Sequence, residues 1–374
     1  MNQKSQIIIA LGSNRGKRLD NLNAALELIF QHLGDLKKLS SVYKTPALGF
    51  SGNDFLNACI AVETRFSPQK SLELLLDIES KLGRERSESP GYENRAIDLD
   101  ILFYEDEIIV EKDLKIPHPQ LQNRKFVLAP LTEITPDKVH PRLKKTSQKL
   151  LETTPDGSEI KKIDEQLKNL DKPKSNINYL VIEGNIGAGK TTLSEMIAED
   201  YNAKLIAERF RDNPFLPKFY EDRKRFAFPL EMSFLADRYQ QLADDIAQLD
   251  LFSDFAIADY DAYKSLIFAQ VTLSAEEFRL YRKMFDIVHK SLPQPDRYIF
   301  LYQKTDRLLE NIKKRGRSYE ENIPADYLEE IQQGYFQAMK TRKNINTKTI
   351  DITELDFVDN REDYLRILDE VLMC

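Results

Sequence analysis

The chain has 374 residues, of which 41% are hydrophobic and 31% charged, and this favours a globular protein of two or three domains. A formal net charge of −7 argues against a broad basic surface and so against a nucleic-acid polymer as partner. The two cysteines, Cys59 and Cys374, make no disulfide framework, and no apolar run approaches the roughly 18 residues of a membrane span. We therefore expect a cytoplasmic protein with no membrane partner.

The first half of the sequence alternates short apolar segments with longer amphipathic ones. This periodicity predicts strands at 6–11, 41–45, 56–64 and 99–104, and helices at 18–33 and 68–82. Two helices with a largely antiparallel sheet predict an α+β sandwich for this half.

A polar stretch divides the chain. Residues 153–158 are rich in turn-forming residues, and residues 161–174 are charged and show no face that could be buried. We predict a first domain at 1–158, a linker at 159–177 and a second domain at 178–374.

The second half contains apolar runs of strand length separated by helical stretches. The runs are 179–183, 204–208, 255–259, 298–302 and, more weakly, 349–352. This order predicts an α/β domain with a parallel sheet covered by helices on both faces. Ligands bind at the carboxyl ends of such strands, where Glu208 and Asp259 end two of the runs.

A phosphate-binding loop follows the first of these strands. It matches the pattern G-x-x-x-x-G-K-[ST] with Gly184, Asn185, Ile186, Gly187, Ala188, Gly189, Lys190 and Thr191, and Thr192 comes next. Its glycines let backbone amides converge on phosphate oxygens, with Lys190 reaching the β/γ-phosphates and Thr191 binding Mg²⁺. The pattern predicts ATP binding but does not separate a kinase from an ATPase or a nucleotide switch.

Two aspartates in the first half, Asp98 and Asp100, are two residues apart on a predicted strand and so face the same side. Paired carboxylates are costly unless a cation lies between them, and Mg²⁺ with a polyphosphate satisfies this requirement. The alternative is a pair of exposed aspartates on an edge strand. Cationic candidates for gripping an anionic substrate flank the pair, namely Arg84, Arg95, His118 and Arg124.

From about 178 to 345 the sequence resembles the deoxynucleoside kinase family. The loop, the segment Glu208-Arg209-Phe210 and the stretch 313–320 carry the resemblance. One departure is Asp259-Tyr260-Asp261, where the family usually has an acid, an arginine and a serine. Asp259 keeps the acid that would serve Mg²⁺, and Lys264 offers a charge in place of the arginine.

The resemblance implies a role for each matched residue. Glu208 would be the general base for the nucleoside 5′-hydroxyl, and Arg315 and Arg317 would form a lid over the transferred phosphoryl group. The implied contacts to sugar and base are Tyr220, Glu231, Arg238 and Glu320. An amphipathic helix with an aromatic core stripe at 226–238 is the alternative. Helix-mediated dimers are usual in the family, so a homodimer through the second domain is one expectation.

From Ile7 to about Leu151 the sequence resembles 6-hydroxymethyl-dihydropterin pyrophosphokinase. Matching blocks are 10–14, 45–49, 55–58, 116–119 and 123–126. The family's fold implies a ferredoxin-like α+β sandwich. The resemblance further implies that Asp98 and Asp100 hold two Mg²⁺ ions and that Arg84, Arg95, His118 and Arg124 contact ATP. The residues implied around the pterin are Thr45, Leu48, Phe55, Asn57 and Phe126, and Arg86 would lie in a closing loop.

Some positions depart from the pyrophosphokinase pattern. Glu93-Asn94 replaces a small residue and proline, Tyr92 stands where tryptophan is frequent, and Leu76 replaces a polar contact to ATP. The leading hypothesis is a bifunctional enzyme that uses ATP and Mg²⁺ to act on 6-hydroxymethyl-dihydropterin and on a deoxynucleoside. The alternatives are one active domain beside a binding or scaffold module, a nucleotide-driven switch, and a nucleoside monophosphate kinase. The sequence leaves the preferred nucleoside open.

Overall fold

The structure, a computed structural model, describes residues 4–47, 52–84, 94–170, 177–209, 213–247, 253–290, 292–320, 323–342 and 345–372. The chain divides into two compact units, Met1–Lys172 and Pro173–Cys374. This confirms the predicted two-domain organisation. Among the described residues, no helix is both long enough and apolar enough to cross a membrane.

The first unit is built from short strands and four helices in its described part. The strands are β1 (Ser5–Ser13), β2 (Asp35–Leu39), β3 (Tyr43–Thr45), β4 (Phe55–Thr64), β5 (Asp98–Tyr104), β6 (Ile109–Val110), β7 (Lys115–Ile116) and β8 (Lys161–Lys162). The helices are α1 (Arg18–His32), α2 (Pro68–Lys81), α3 (Lys125–Ile134) and α4 (Ser147–Thr153).

The main sheet of the first unit has the strand order β5-β1-β4-β3-β8, with β2 also paired to β4. Every pairing in it is antiparallel, as predicted. Side chains alternate across the sheet. Ile7, Ile9 and Leu11 of β1 join one core with α1 and α2, whereas Ile8 joins the opposite core with α3. The sheet therefore lies between two helical layers.

Six strands and α-helices of the first unit were not predicted, namely β2, β6, β7, β8, α3 and α4. Strand β2 reads Asp-Leu-Lys-Lys-Leu, which is too short and polar to give a strand pattern, and α3 contains Pro130, which normally ends a helix. Burial explains why α3 forms, because its residues Leu128 and Leu131 are fully buried against the sheet.

The predicted linker is wrong between residues 161 and 170, which belong to the first unit. Strand β8 pairs with β3, and Leu167 is only 7% exposed in the core formed with α1 and α2. The amide of Lys168 also donates to Asn23 Oδ1 at 2.9 Å. The apolar positions Ile163, Leu167 and Leu170 are too few among charges to show this from sequence.

The second unit, in its described part, has five strands and eight α-helices. The strands are β9 (Tyr179–Gly184), β10 (Lys204–Ile206), β11 (Ala256–Ala258), β12 (Arg297–Tyr302) and β13 (Asn346–Asp351). The helices are α5 (Lys190–Asp200), α6 (Leu216–Glu221), α7 (Arg223–Ala247), α8 (Tyr263–Thr272), α9 (Ala275–His289), α10 (Thr305–Arg315), α11 (Ala325–Thr341) and α12 (Arg361–Leu372).

The sheet of the second unit has the order β10-β11-β9-β12-β13, and all its pairings are parallel. Each of the five predicted runs is confirmed as a strand. Because β11 lies between β10 and β9, the loops that follow these three strands emerge side by side at one edge. These loops carry Glu208, Asp259 and the phosphate-binding loop.

Candidate active sites

Asp98 and Asp100 of β5 point to one face of the first sheet, because the intervening Leu99 is buried in the opposite core. Asp98 accepts a hydrogen bond from Arg95 Nη1 at 3.0 Å and pairs with Arg84 Nη1 at 2.7 Å. Asp100 Oδ2 lies 3.9 Å from Arg124 Nη1 and 4.0 Å from His118 Nε2. The structure thus brings together all six candidates for binding anions and metal in this half.

The electrostatics around the two aspartates favour a cation between them. Burial and the neighbouring charge of Asp98 raise the pKa of Asp100 to about 6. Burial, followed by the charge of Arg124, lowers the pKa of His118 to about 4, so its imidazole is neutral near pH 7. Carboxylate oxygens suit Mg²⁺, and in the described part of the chain no cluster of three or more metal-binding side chains completes a protein cage. Substrate oxygens or waters would supply the other ligands.

A glycine on β1, Gly12, lies between the aspartates of β5 and the candidate pterin-binding residues of β4. Gly12 lies opposite Asn57 of β4 on one side and Asp98 of β5 on the other. A Cβ atom at Gly12 would lie 3.2 Å from Asn57 Oδ1 and 3.7 Å from the Phe55 ring. Asn57 Nδ2 donates to Thr45 Oγ1 at 2.8 Å. Because Gly12 has no side chain, the space between the aspartates and the candidate pterin-binding residues stays open.

Phe126 stands in the first turn of α3, beside the cations. The guanidinium carbon of Arg124 lies 5.8 Å from the centre of the Phe126 ring. Leu48, predicted to bind the pterin, and Arg86, predicted to lie in a closing loop, fall outside the described residues.

In the second unit, the predicted phosphate-binding loop joins β9 to α5. Gly187 and Gly189 have φ of +83° and +80°, and a Cβ atom at Gly189 would lie 3.0 Å from the Phe357 ring. Lys190 Nζ donates to the carbonyl oxygens of Gly184 and Asn185, each at 2.9 Å. Residues 190–192 form the first turn of α5, whose positive end faces the loop. The loop has the geometry of an anion-binding turn.

Asp259 links the phosphate-binding loop to Glu208. Its Oδ2 accepts the hydroxyl of Thr191, and its Oδ1 accepts the backbone amide of Glu208 at 2.7 Å. The strand order explains this position, since Asp259 directly follows β11, between β9 and β10. A hydroxyl and a carboxylate oxygen in contact are suitable ligands for Mg²⁺.

Glu208 is held by two cations. Arg238 Nε donates to its Oε1 at 2.8 Å, and Lys264 Nζ lies 2.5 Å from its Oε2. Burial alone would raise the pKa of Glu208, but Lys264 and Arg238 outweigh it and lower that pKa to about 2. Arg238 also donates to Ser265 Oγ at 2.7 Å, so the structure pairs it with Glu208 rather than with Glu231.

The predicted lid lies at the end of α10. Arg315 and Arg317 both pair with Glu320, Arg317 at 3.3 Å. The ring of Tyr220 stacks on Tyr319 with centres 5.9 Å apart. Burial and then the charge of Glu320 raise the pKa of Tyr220 above its ordinary value. The lid and the candidate sugar contacts are therefore neighbours.

Family models identify both halves of the chain. A model described as 7,8-dihydro-6-hydroxymethylpterin-pyrophosphokinase matches residues 8–136, and one described as deoxynucleoside kinase matches residues 180–373. The chain belongs to both families. The two resemblances predicted from sequence motifs are confirmed, and we call the halves the pyrophosphokinase unit and the deoxynucleoside kinase unit.

Individual relatives match each unit. Deoxyguanosine kinase of Bacillus subtilis is 39% identical over 193 residues, which are 50% of this chain and 93% of the relative. The pteridine pyrophosphokinase of Synechocystis sp. is 42% identical over 146 residues, 39% of this chain and 74% of the relative. A solved structure of deoxyadenosine kinase from M. mycoides is 26% identical with a TM-score of 0.46, covering 52% of this chain and 100% of that one.

The departure from the motif of the deoxynucleoside kinase family has a structural counterpart. Tyr260 replaces the arginine, and its ring is fully buried. Lys264, in the first turn of α8, has a side chain that is 10% exposed and contacts Glu208. That Lys264 supplies the charge in place of the arginine stays a prediction, which this contact supports.

Two residues that hold the pyrophosphokinase site together were missed as contributors. The Asn14 side chain accepts the amide of Arg95 at 2.7 Å and donates to Asn94 Oδ1 at 2.7 Å. Glu79, buried on α2, accepts the amide of Leu99 at 2.7 Å and also pairs with Arg84. Burial raises the pKa of Glu79 to about 7, against the lowering effect of Arg84. A buried acid at a helical core position was the only signal of its role.

Glu231 of α7 is 2% exposed and incompletely bonded. Its Oε1 lies 3.1 Å from Thr272 Oγ1, whereas its Oε2 has no hydrogen-bond partner among the described residues. A buried polar atom without a partner is costly, and this is typical of a position that a ligand completes.

Proposed function

We propose that the chain catalyses two separate ATP-dependent transfers. The pyrophosphokinase unit would transfer a pyrophosphoryl group to 6-hydroxymethyl-7,8-dihydropterin, and the deoxynucleoside kinase unit would phosphorylate a deoxynucleoside at its 5′-hydroxyl. Both families carry out ATP-dependent phosphoryl transfer. The observation that carries the proposal is that each unit has its own cluster of cationic side chains beside its own acids.

In the pyrophosphokinase unit, the pterin hydroxymethyl oxygen would attack the β-phosphorus of ATP, and AMP would leave. Asp98 and Asp100 fit Mg²⁺, which when bound would neutralise charge on the phosphate oxygens. The guanidinium groups of Arg84, Arg95 and Arg124 would orient the triphosphate by charge, and the neutral imidazole of His118 would do so by hydrogen bonding. Phe55 and Phe126 would hold the flat ring, and Asn57 would bind its edge. The residues act by positioning and by charge complementarity.

In the deoxynucleoside kinase unit, Glu208 would accept the proton of the 5′-hydroxyl as its oxygen bonds to the γ-phosphorus, and ADP would leave. Glu208 stays ionised at every working pH, but its pKa of about 2 makes it a weak base. A weak base suffices where the transition state is loose and the proton leaves late. Lys190, Arg315 and Arg317 would carry the charge of the transferred group, while Thr191 and Asp259 fit Mg²⁺.

Two finer predictions are carried as parts of this proposal. The strand order of the first sheet, with helices α1 and α2 on one face, supports a ferredoxin-like sandwich. A homodimer through the deoxynucleoside kinase unit is supported by α9, where Leu280, Met284 and Ile287 are exposed at helical spacing on one face. The molar mass of the purified protein in solution tests the dimer, since a monomeric mass contradicts it.

Paired substitutions in the full chain test the two activities. We expect Asp98→Ala to abolish pyrophosphoryl transfer while leaving deoxynucleoside phosphorylation unchanged, and Lys190→Ala to do the reverse. Asp77→Ala, at an exposed position on α2, and Lys340→Ala, at an exposed position on α11, are the matched controls. A wild-type chain lacking one activity would show that the corresponding unit is a binding or scaffold module.

A further inference from the structure

Glu231 occupies a position where its charge state matters for what can bind beside it. The carboxyl is nearly inaccessible to water, and among the described residues its Oε2 has no partner. An ionised carboxylate can only accept hydrogen bonds, whereas a neutral carboxyl accepts with one oxygen and donates with the other. The free oxygen therefore presents either an acceptor or a donor to a ligand.

The contact with Thr272 fits a carboxyl that can exist in both states. Thr272 Oγ1 lies 3.1 Å from Glu231 Oε1 and 2.9 Å from the carbonyl oxygen of Phe268. A hydroxyl has one proton, so it cannot donate to both acceptors at once. If Glu231 is ionised, Thr272 must choose between them; if Glu231 is neutral, its proton can lie on Oε2, the oxygen without a partner, while Oε1 still accepts from Thr272. The geometry accommodates either state.

We propose that Glu231 sets the nucleobase preference of the deoxynucleoside kinase unit by its protonation state, favouring guanine over adenine when ionised and accepting both bases when neutral. The inference rests on the proposed deoxynucleoside kinase function. Guanine presents two adjacent donors, N1–H and N2–H₂, which complement an acceptor-only carboxylate. Adenine presents the N6–H₂ donor beside the N1 acceptor, and guanine also presents the O6 acceptor beside N1–H, so a neutral carboxyl complements either base. A carboxylate, by contrast, sets a second acceptor against the N1 atom of adenine.

The surroundings of Glu231 bring the protonation change of its carboxyl near neutral pH. Burial raises its pKa to about 7, against the lowering effects of Arg238, the Thr272 hydroxyl and Lys264. The titratable or charged groups that face it come from five places in the unit, namely Arg238 on α7, Lys264 on α8, Tyr281 on α9, Tyr327 on α11 and Glu208 after β10. The pKa of Glu208 is lowered to about 2, and the pKa values of Arg238, Tyr281 and Tyr327 are raised above their ordinary values.

A competition assay measures the preference directly. The full-length protein is given equal concentrations of deoxyguanosine and deoxyadenosine with ATP and Mg²⁺, and the ratio of the two monophosphates is measured at several pH values. Because both substrates share Glu208 and the phosphate-binding loop, changes in the chemical step cancel in the ratio. We expect the deoxyguanosine product to gain about tenfold or more over the deoxyadenosine product between about pH 6 and pH 8.5, since a mismatched edge leaves a buried polar group unpaired.

Two variants separate protonation from other effects of pH. Glu231→Gln has a permanent donor and acceptor, so its ratio should stay constant with pH and match the ratio of the wild-type protein at low pH. Thr272→Val removes a hydrogen bond that lowers the pKa of Glu231, so the change in ratio should move to higher pH. The matched control is Glu276→Gln, at a side chain 78% exposed on α9, which should behave as wild type.

The outcomes distinguish this inference from the function on which it rests. If neither nucleoside is phosphorylated at any pH, the proposed deoxynucleoside kinase activity is wrong. If both are phosphorylated at a ratio that does not change with pH in the wild-type protein, the role of Glu231 is wrong and the kinase activity stands. An unfolded Glu231→Gln protein leaves the wild-type and Thr272→Val measurements as the test.

Discussion

Replacing Glu79 by glutamine tests how a buried charge limits the stability of the pyrophosphokinase unit. Burial raises the pKa of Glu79 from 4.5 to about 7. As pH rises, the unfolded chain therefore loses this proton first, which favours the unfolded state from about pH 5 upward. The penalty is complete above the folded-state pKa and amounts to about 3 kcal/mol for a shift of this size. Glu79→Gln should remove it.

Hydrogen exchange followed by mass spectrometry measures this effect on one unit at a time. After correction for intrinsic exchange rates, peptides from β1 and β5 report the unfolding free energy of the pyrophosphokinase unit. We expect the wild-type free energy to fall by up to about 3 kcal/mol relative to Glu79→Gln between about pH 5 and pH 8. Peptides from β9 and β12 should show no difference between the proteins.

Glu73→Gln on the same helix is the matched control, because the Glu73 side chain is 69% exposed and pairs only with Lys70 among the described residues. It should follow the wild-type curve. Wild-type and Glu79→Gln curves that stay parallel across this range would refute the reasoning, because the Glu79 carboxyl would then titrate alike in the folded and unfolded states.

Three further predictions follow from the contacts of both units. Asp98→Asn should lower the pKa of Asp100 from about 6, because it removes a like charge; an NMR titration of the carboxyl carbon measures it, and an unchanged value contradicts the coupling. Lys264→Met should raise the pKa of Glu208 from about 2, so that kcat/KM for the deoxynucleoside begins to fall at a higher pH on acidification. Lys264→Arg keeps the positive charge and should retain the wild-type pH dependence. Leu167→Ala should destabilise the pyrophosphokinase unit by about 2–4 kcal/mol in denaturant unfolding, whereas Leu143→Ala, at a 44% exposed position, should not.

Sequence patterns predicted the parts of the sites that depend on local spacing. The alternation of a strand places Asp98 and Asp100 on one face, and the glycine spacing of the loop requires the turn that precedes α5. Strand order could not be predicted in the same way, yet it places Asp259 between Thr191 and Glu208. Local spacing therefore indicated the chemistry of each site but not which residues from other elements lie beside it.

The residues that sequence reasoning missed act across long separations. Asn14 bonds the chain 80 residues later, and Glu79 accepts an amide 20 residues later. Arg238 shares a helix face with Glu231, but its partner Glu208 lies in another element. Such pairings depend on the tertiary arrangement. A polar residue in an amphipathic helix does not reveal in the sequence which partner it will bind.

Glu79 and Glu231 show that a raised pKa alone does not distinguish a structural acid from a binding residue. Burial brings the pKa of each to about 7. Among the described residues, Glu79 has no buried oxygen left without a partner, so its titration acts through its contacts with Leu99 and Arg84 on the stability of its own unit. Glu231 leaves one buried oxygen free, so its titration changes what a ligand meets. One pH series on the whole chain should therefore show two separate responses, with Glu79→Gln removing the change in the stability of the pyrophosphokinase unit and Glu231→Gln removing the change in nucleobase preference.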